Sequence, residues 1–86
     1  MRLSLYSDLS LRLLVYLARV ERAELVSTTV VAKKYRVSAH HMRKVAQGLR
    51  KLGFVESVEG RGGGLRLAVD PEHLKVGNIV EALEGN

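Results

Sequence analysis

The chain has no cysteine and no tryptophan, a single proline, and only 5% aromatic residues. Without cysteine there is no disulfide framework and no thiolate metal site within these residues. So few aromatics leave the core to aliphatic side chains, chiefly Leu and Val. Long hydrophobic runs are missing too. The longest, Leu13 to Ala18, is far too short to span a bilayer, and no leader pattern opens the chain. A cytoplasmic protein without a membrane partner is the expectation. The most unevenly placed absence is that of acid. Between Leu25 and Val55 there is no Asp or Glu, yet this interval holds Lys33, Lys34, Arg36, Arg43, Lys44, Arg50 and Lys51. The other seven bases stand against all nine acids, so the formal net charge of +5 divides into +7 here and −2 elsewhere. A segregated basic surface is the footprint of a polyanion partner, because neutralising phosphates releases condensed counterions. A solvated basic helix with no ligand is the alternative.

At 86 residues the chain is one small domain, 1–86, with no repeat, linker or low-complexity tract. Its organising stretch is Lys33 to Leu52, which reads as the turn and second helix of a helix-turn-helix. Ser38 is placed to cap a helix, and Gly53 to close it. Met42, Val45, Leu49 and Leu52 recur at spacings of three and four, which predicts one inward face. The outward face then carries His40, Arg43, Gln47 and Arg50, with Lys44 and Lys51 on its flanks. These side chains donate to phosphates and base edges, and no acid repels the ligand.

Upstream, Ser7 or Asp8 can cap a helix from Leu9 to Val20. Leu9, Leu13, Tyr16, Leu17 and Val20 share one face, and Leu11, Leu14 and Val15 make much of the rest apolar. That predicts a helix buried nearly all round, either as the central core helix or with one side on a partner subunit. Glu21 to Val26 reads as a loop with a brief extended piece at Leu25 and Val26. Ser27 caps a two-turn helix, Thr28 to Tyr35, with Val31 and Ala32 inward. Arg36 and Val37 make the turn; Arg36 stands where Gly is common, so it is either strained or the geometry differs.

After Gly53 the period becomes alternating. Phe54 to Glu59 and Leu65 to Val69 read as strands, joined by Gly60-Arg61-Gly62-Gly63-Gly64. Strand, tip and strand after a recognition helix make the wing of a winged helix. An Arg-bearing tip suits the minor groove, where narrow A·T tracts concentrate negative potential. A phosphate-cradling nucleotide loop is the poorer reading, since a strand and not a helix follows the glycines and no Gly-Lys-Ser/Thr is present. Pro71 to Leu74 makes a turn, and Val76, Ile79, Val80 and Leu83 mark a last amphipathic helix ending at Gly85. The fold class expected is mainly α with a small β-hairpin, a winged helix-turn-helix.

Catalytic and metal chemistry find little support. His40 and His41 point about 100° apart on a helix and cannot share a metal, and His73 is remote. Ser38 beside these histidines is a cap and not a nucleophile, so no enzyme is expected. A winged-helix module that binds an acidic protein, without DNA, is the alternative function.

The opening MRLS with Tyr6-Ser7-Asp8, the block VAKKYRVSAHHMRKVAQGLRKLGFVESVEGRGGGLRL and the closing VGNIVEALEG together resemble the DNA-binding half of bacterial iron-sulfur winged-helix transcription regulators, the IscR and NsrR type. The pattern is most similar to the nitric-oxide-sensing branch. The resemblance implies a homodimeric repressor on a palindromic double-stranded operator, sensing through an iron-sulfur cluster. In the family three cysteines after the ALEG segment hold the cluster, and a long helix then dimerises. This sequence stops before both, so a truncated form of a longer regulator is expected over a member that lost its sensor, with no cofactor inside these residues. In some relatives an Asp matching Asp8 ligates the cluster from the other subunit; Asp8 as a plain helix-start residue is the alternative. One departure lies in the wing, where Glu59 replaces an Arg that several relatives aim at the minor groove, which shifts that role to Arg61. The DNA-contacting residues expected are Arg2, Lys33, Ser38, Ala39, His40, Arg43, Lys44, Gln47, Arg50, Lys51, Arg61, Gly62 and Gly63.

Overall fold

The computed structural model describes residues 4–21 and 24–84. Four helices and a two-stranded antiparallel sheet follow in the order α1 (Leu5–Arg19), α2 (Thr28–Lys34), α3 (Ala39–Lys51), β1 (Val55–Val58), β2 (Gly64–Leu67), a 3-10 turn at Pro71–His73, and α4 (Val76–Glu84). The core is aliphatic. Leu13, Leu14, Val31, Met42, Val45, Leu49 and Val55 are almost wholly buried where the first three helices meet the sheet. Each such side chain contributes about 1.5–3 kcal/mol of burial free energy.

Helix α1 begins earlier than the sequence suggests. Ser4, and not Ser7 or Asp8, is its N-cap, accepting the Ser7 N–H at 3.0 Å. Ser7 and Ser10 are instead fully buried. Ser10 donates to the Tyr6 carbonyl at 2.8 Å, and the Ser7 hydroxyl donates to the Glu84 carboxylate, which also accepts from Ser4 at 3.1 Å. A polar clasp therefore joins the end of α4 to the start of α1. The helix is not buried all round: Val15 is 46% exposed and Leu5 60%, because the surrounding elements cover only the side carrying Leu9, Leu13, Leu14 and Leu17.

Both helices of the helix-turn-helix end in the same backbone device. After α2, the Arg36 N–H donates to the Lys33 carbonyl and the Val37 N–H to the Ala32 carbonyl; after α3, Gly53 donates to Arg50 and Phe54 to Leu49. These paired bonds define Schellman caps, which need a left-handed residue just past the helix. Gly53 takes φ 84° at no steric cost, whereas Arg36 takes φ 56° and carries the strain that glycine would avoid. The cap also turns Leu52 outward. It is 43% exposed, and Ala46 completes the inward face in its place.

The strands are shorter than their alternating patterns, pairing Val55 with Leu67 through Val58 with Gly64. Leu65 and Leu67 are buried as expected, and Val69 lies beyond the ladder, half-buried. The extended piece before α2 joins the same sheet: Val26 and Leu65 exchange both backbone hydrogen bonds at 2.8 Å. This bridge fixes the wing beside the start of α2. The expected end of α4 at Gly85 lies outside the described residues.

Candidate nucleic-acid interface

Helix α3 presents a solvent face whose direction is set by its buried one. With Met42, Val45, Ala46 and Leu49 in the core, His40, Arg43, Lys44, Gln47, Arg50 and Lys51 are all exposed. Ser38 caps the helix by accepting the His41 N–H at 3.0 Å, and Ala39 and His41 are half-buried beside it. The helix contains no acid. At 1.5 Å per residue its 13 residues run about 20 Å, with the diameter a DNA major groove admits.

Between α3 and the wing lies a cleft of about 290 Å³. Arg43, Gln47 and Arg50 form one wall over Ala46; Ser57, Val58, Glu59, Gly63, Gly64 and Leu65 form the other, and Ser27 and Thr28 close one end. The Arg50 guanidinium donates across it to the Ser57 hydroxyl at 3.4 Å. Of the residues expected to touch DNA, this cleft gathers Arg43, Gln47, Arg50 and Gly63. His40, Lys44 and Lys51 share the α3 surface outside the cleft, Lys33 is exposed on α2, and Arg61 and Gly62 are exposed at the wing tip. Gly63 has a packing reason of its own: a Cβ there would lie 2.0 Å from the Val58 carbonyl oxygen, so the hairpin closes only over glycine. Arg2 falls outside the described residues.

Sequence reasoning missed Ser27, Thr28 and Ser57 as members of the cleft. Ser27 shows in the sequence only as a cap, and caps α2 by accepting the Thr29 N–H at 3.1 Å. It reaches the wing because Val26 pairs with Leu65. Local patterns carry no trace of that pairing beyond the apolar doublet Leu25-Val26.

Asp8 lies away from the cleft, on α1. Its carboxylate accepts from Arg12 at 2.9 Å, and the Arg12 guanidinium lies 5.9 Å from the centre of the Tyr35 ring. No group of three His, Asp or Glu side chains able to hold a metal occurs among the described residues. No helix among them is long and apolar enough to cross a membrane.

Comparison with known proteins sets this geometry in a family. Residues 3–86 match the model of the Rrf2 family, described as iron-dependent transcriptional regulators. The HTH-type transcriptional regulator NsrR of Shouchella clausii is 46% identical over 86 residues, covering all of this chain and 58% of the relative. NsrR of Bacillus subtilis is 43% identical over 84 residues, covering 98% and 58%. The chain thus spans a little over half the length of these relatives. Among solved structures, CymR (YrzC), the global cysteine regulator of B. subtilis, superposes with a TM-score of 0.91 at 27% identity, covering all of this chain and 67% of CymR. T. potens IscR gives 0.86 at 32% identity, covering 99% and 62%.

Proposed function

The chain belongs to the Rrf2 family, and from that premise we propose that it is the DNA-reading domain of a transcription repressor that acts as a homodimer on a palindromic operator. The observation that carries this reading is the cleft itself, which sets Arg43, Gln47 and Arg50, from an acid-free stretch of sequence, opposite a glycine-built wing. Helix α3 enters the major groove. Arg43 and Arg50 suit guanine O6 and N7, and Gln47 suits adenine N6 and N7. His40 and Ala39 lie near the groove-facing start. Lys44 and Lys51 hold flanking phosphates, Arg2, Ser38 and Lys33 are weaker candidates for the same task, and Arg61 with Gly62 and Gly63 meets the minor groove or its rim. The homodimer draws support from an apolar cleft along α1 and α4, lined by Leu11, Leu14, Val15, Leu74, Val76 and Ile79.

In this proposal the longer protein senses nitric oxide or a redox or iron signal through an iron-sulfur cluster. The 86 residues do not themselves fit such a group. They hold no cysteine, and the carboxylate of Asp8, the one candidate ligand, is engaged by Arg12. No step of DNA recognition runs through a cluster here.

Duplex binding against salt tests the reading. With about four phosphates neutralised, affinity falls about 10²-fold between roughly 50 and 200 mM salt. Arg43→Ala is expected to cost about 1–3 kcal/mol and to relax the preference at one base pair, whereas a uniform loss on every sequence would make Arg43 a phosphate contact only. Absence of any salt-sensitive binding would remove the DNA reading and leave the protein-interaction module.

A further inference from the structure

The wing carries two acids, and the structure treats them differently. Glu56 is neutralised in place: it pairs across the strands with Arg66, whose guanidinium lies 2.6 Å from its carboxylate. Glu59 has no ion pair among the described residues, although it lines the cleft that Arg43 and Arg50 also line. Arg61, two residues on, is exposed at the tip and outside that lining. The cleft-facing side of the wing therefore carries a carboxylate without an ion pair among the described residues, and the exposed tip carries the cation.

We propose that Glu59 sets the sequence preference beneath the wing, disfavouring A·T tracts and favouring a G·C pair whose guanine N2 amino group donates to its carboxylate. This rests on the DNA-reading proposal above. In the minor groove, A·T pairs offer only the acceptors adenine N3 and thymine O2, and their narrow groove concentrates negative potential. A carboxylate meets like charge and no donor there. A G·C pair adds the N2 amino group, the one minor-groove donor that a carboxylate can accept. Arg61 then serves a phosphate at the rim. The wing's preference is the reverse of what an arginine at position 59 would give.

The test is sequence selection from random duplexes by the protein and its Glu59→Ala, Glu59→Arg and Glu56→Gln variants. Glu59 and Glu56 are exposed, so the core is untouched. The parent and Glu56→Gln are expected to enrich G·C at the flanks outside the α3 contacts, and Glu59→Arg to enrich A·T. Replacing those guanines with inosine, which lacks the N2 amino group and keeps the major-groove edge, should weaken the parent about tenfold and Glu59→Ala less than about twofold. Identical flanks for the parent and both Glu59 variants, a flank change in Glu56→Gln equal to theirs, or a parent indifferent to inosine would each overturn the assignment. If none of the proteins enriched any sequence, the DNA-reading proposal would fail first and this one with it.

Discussion

The close crossing of α1 over α3 rests on Gly48, where Tyr6 meets the helix. Glycine in a helix interior is unfavourable by about 1 kcal/mol relative to alanine, so on propensity alone Gly48→Ala stabilises. The structure reverses the sign. A Cβ on Gly48 would lie 1.6 Å from the Tyr6 hydroxyl oxygen and 2.9 Å from Cζ of the same ring. A rigid phenol cannot shorten, so Tyr6 must swing out by about 2 Å and give up part of its half-buried packing, a change costing about 1–3 kcal/mol. The net is a loss of about 1 kcal/mol, or about 4–8 °C in melting temperature for a domain of this size. Tyr6→Phe removes the offending oxygen and leaves Cζ at 2.9 Å, a contact that a ring shift of about half an ångström relieves. In that background Gly48→Ala should recover much of its propensity gain, so a double-mutant cycle should show about 1–2 kcal/mol of coupling. Urea unfolding of the four proteins, followed by circular dichroism, reads all of these quantities. A Gly48→Ala protein that gains about 1 kcal/mol with Tyr6 in place, and shows no coupling to Tyr6→Phe, would refute the argument.

Arg36→Gly should stabilise by about 0.5 kcal/mol: relief of the left-handed strain at φ 56° exceeds the extra chain entropy of glycine by that margin, and a rise of a few degrees in melting temperature checks it. Gly63→Ala should open the wing, since its Cβ overlaps the Val58 carbonyl. Faster hydrogen exchange at the Leu65 amide, which donates to Val26, is the expected sign, and unchanged protection there would count against the packing role of Gly63.

The parts of the fold legible in the sequence are those that a few neighbouring residues decide. Ser27 and Ser38 cap the helices they were expected to cap, and Gly53 ends α3, because capping is settled within one turn. Leu65 and Leu67 face inward because alternation fixes the face of a strand. The errors share a different origin. Leu52 continues the spacing of Met42, Val45 and Leu49, but the left-handed cap at Gly53 begins to redirect the chain at that residue, and periodicity cannot register a change of backbone geometry. Ser7 looks like a cap because its usual partner is a local N–H; its actual partner is Glu84, at the far end of the described chain.

The candidate site divides along the same line. Arg43, Gln47 and Arg50 follow from one helical face and are readable, whereas of the opposite wall only Gly63 is. Ser57 and Glu59 enter the cleft, and Ser27 closes it, only because Val26 pairs with Leu65 across a long stretch of intervening sequence. This matters for specificity. In the proposed reading Arg43, Gln47 and Arg50 supply both attraction to a duplex, which the local charge count already announces, and base readout in the major groove, and what stands across the cleft adds a second preference. A carboxylate there adds no affinity of its own without a donor to meet it. On the proposal for Glu59, a residue that charge alone would exclude from the interface therefore joins Arg43, Gln47 and Arg50 in deciding which sequence is bound.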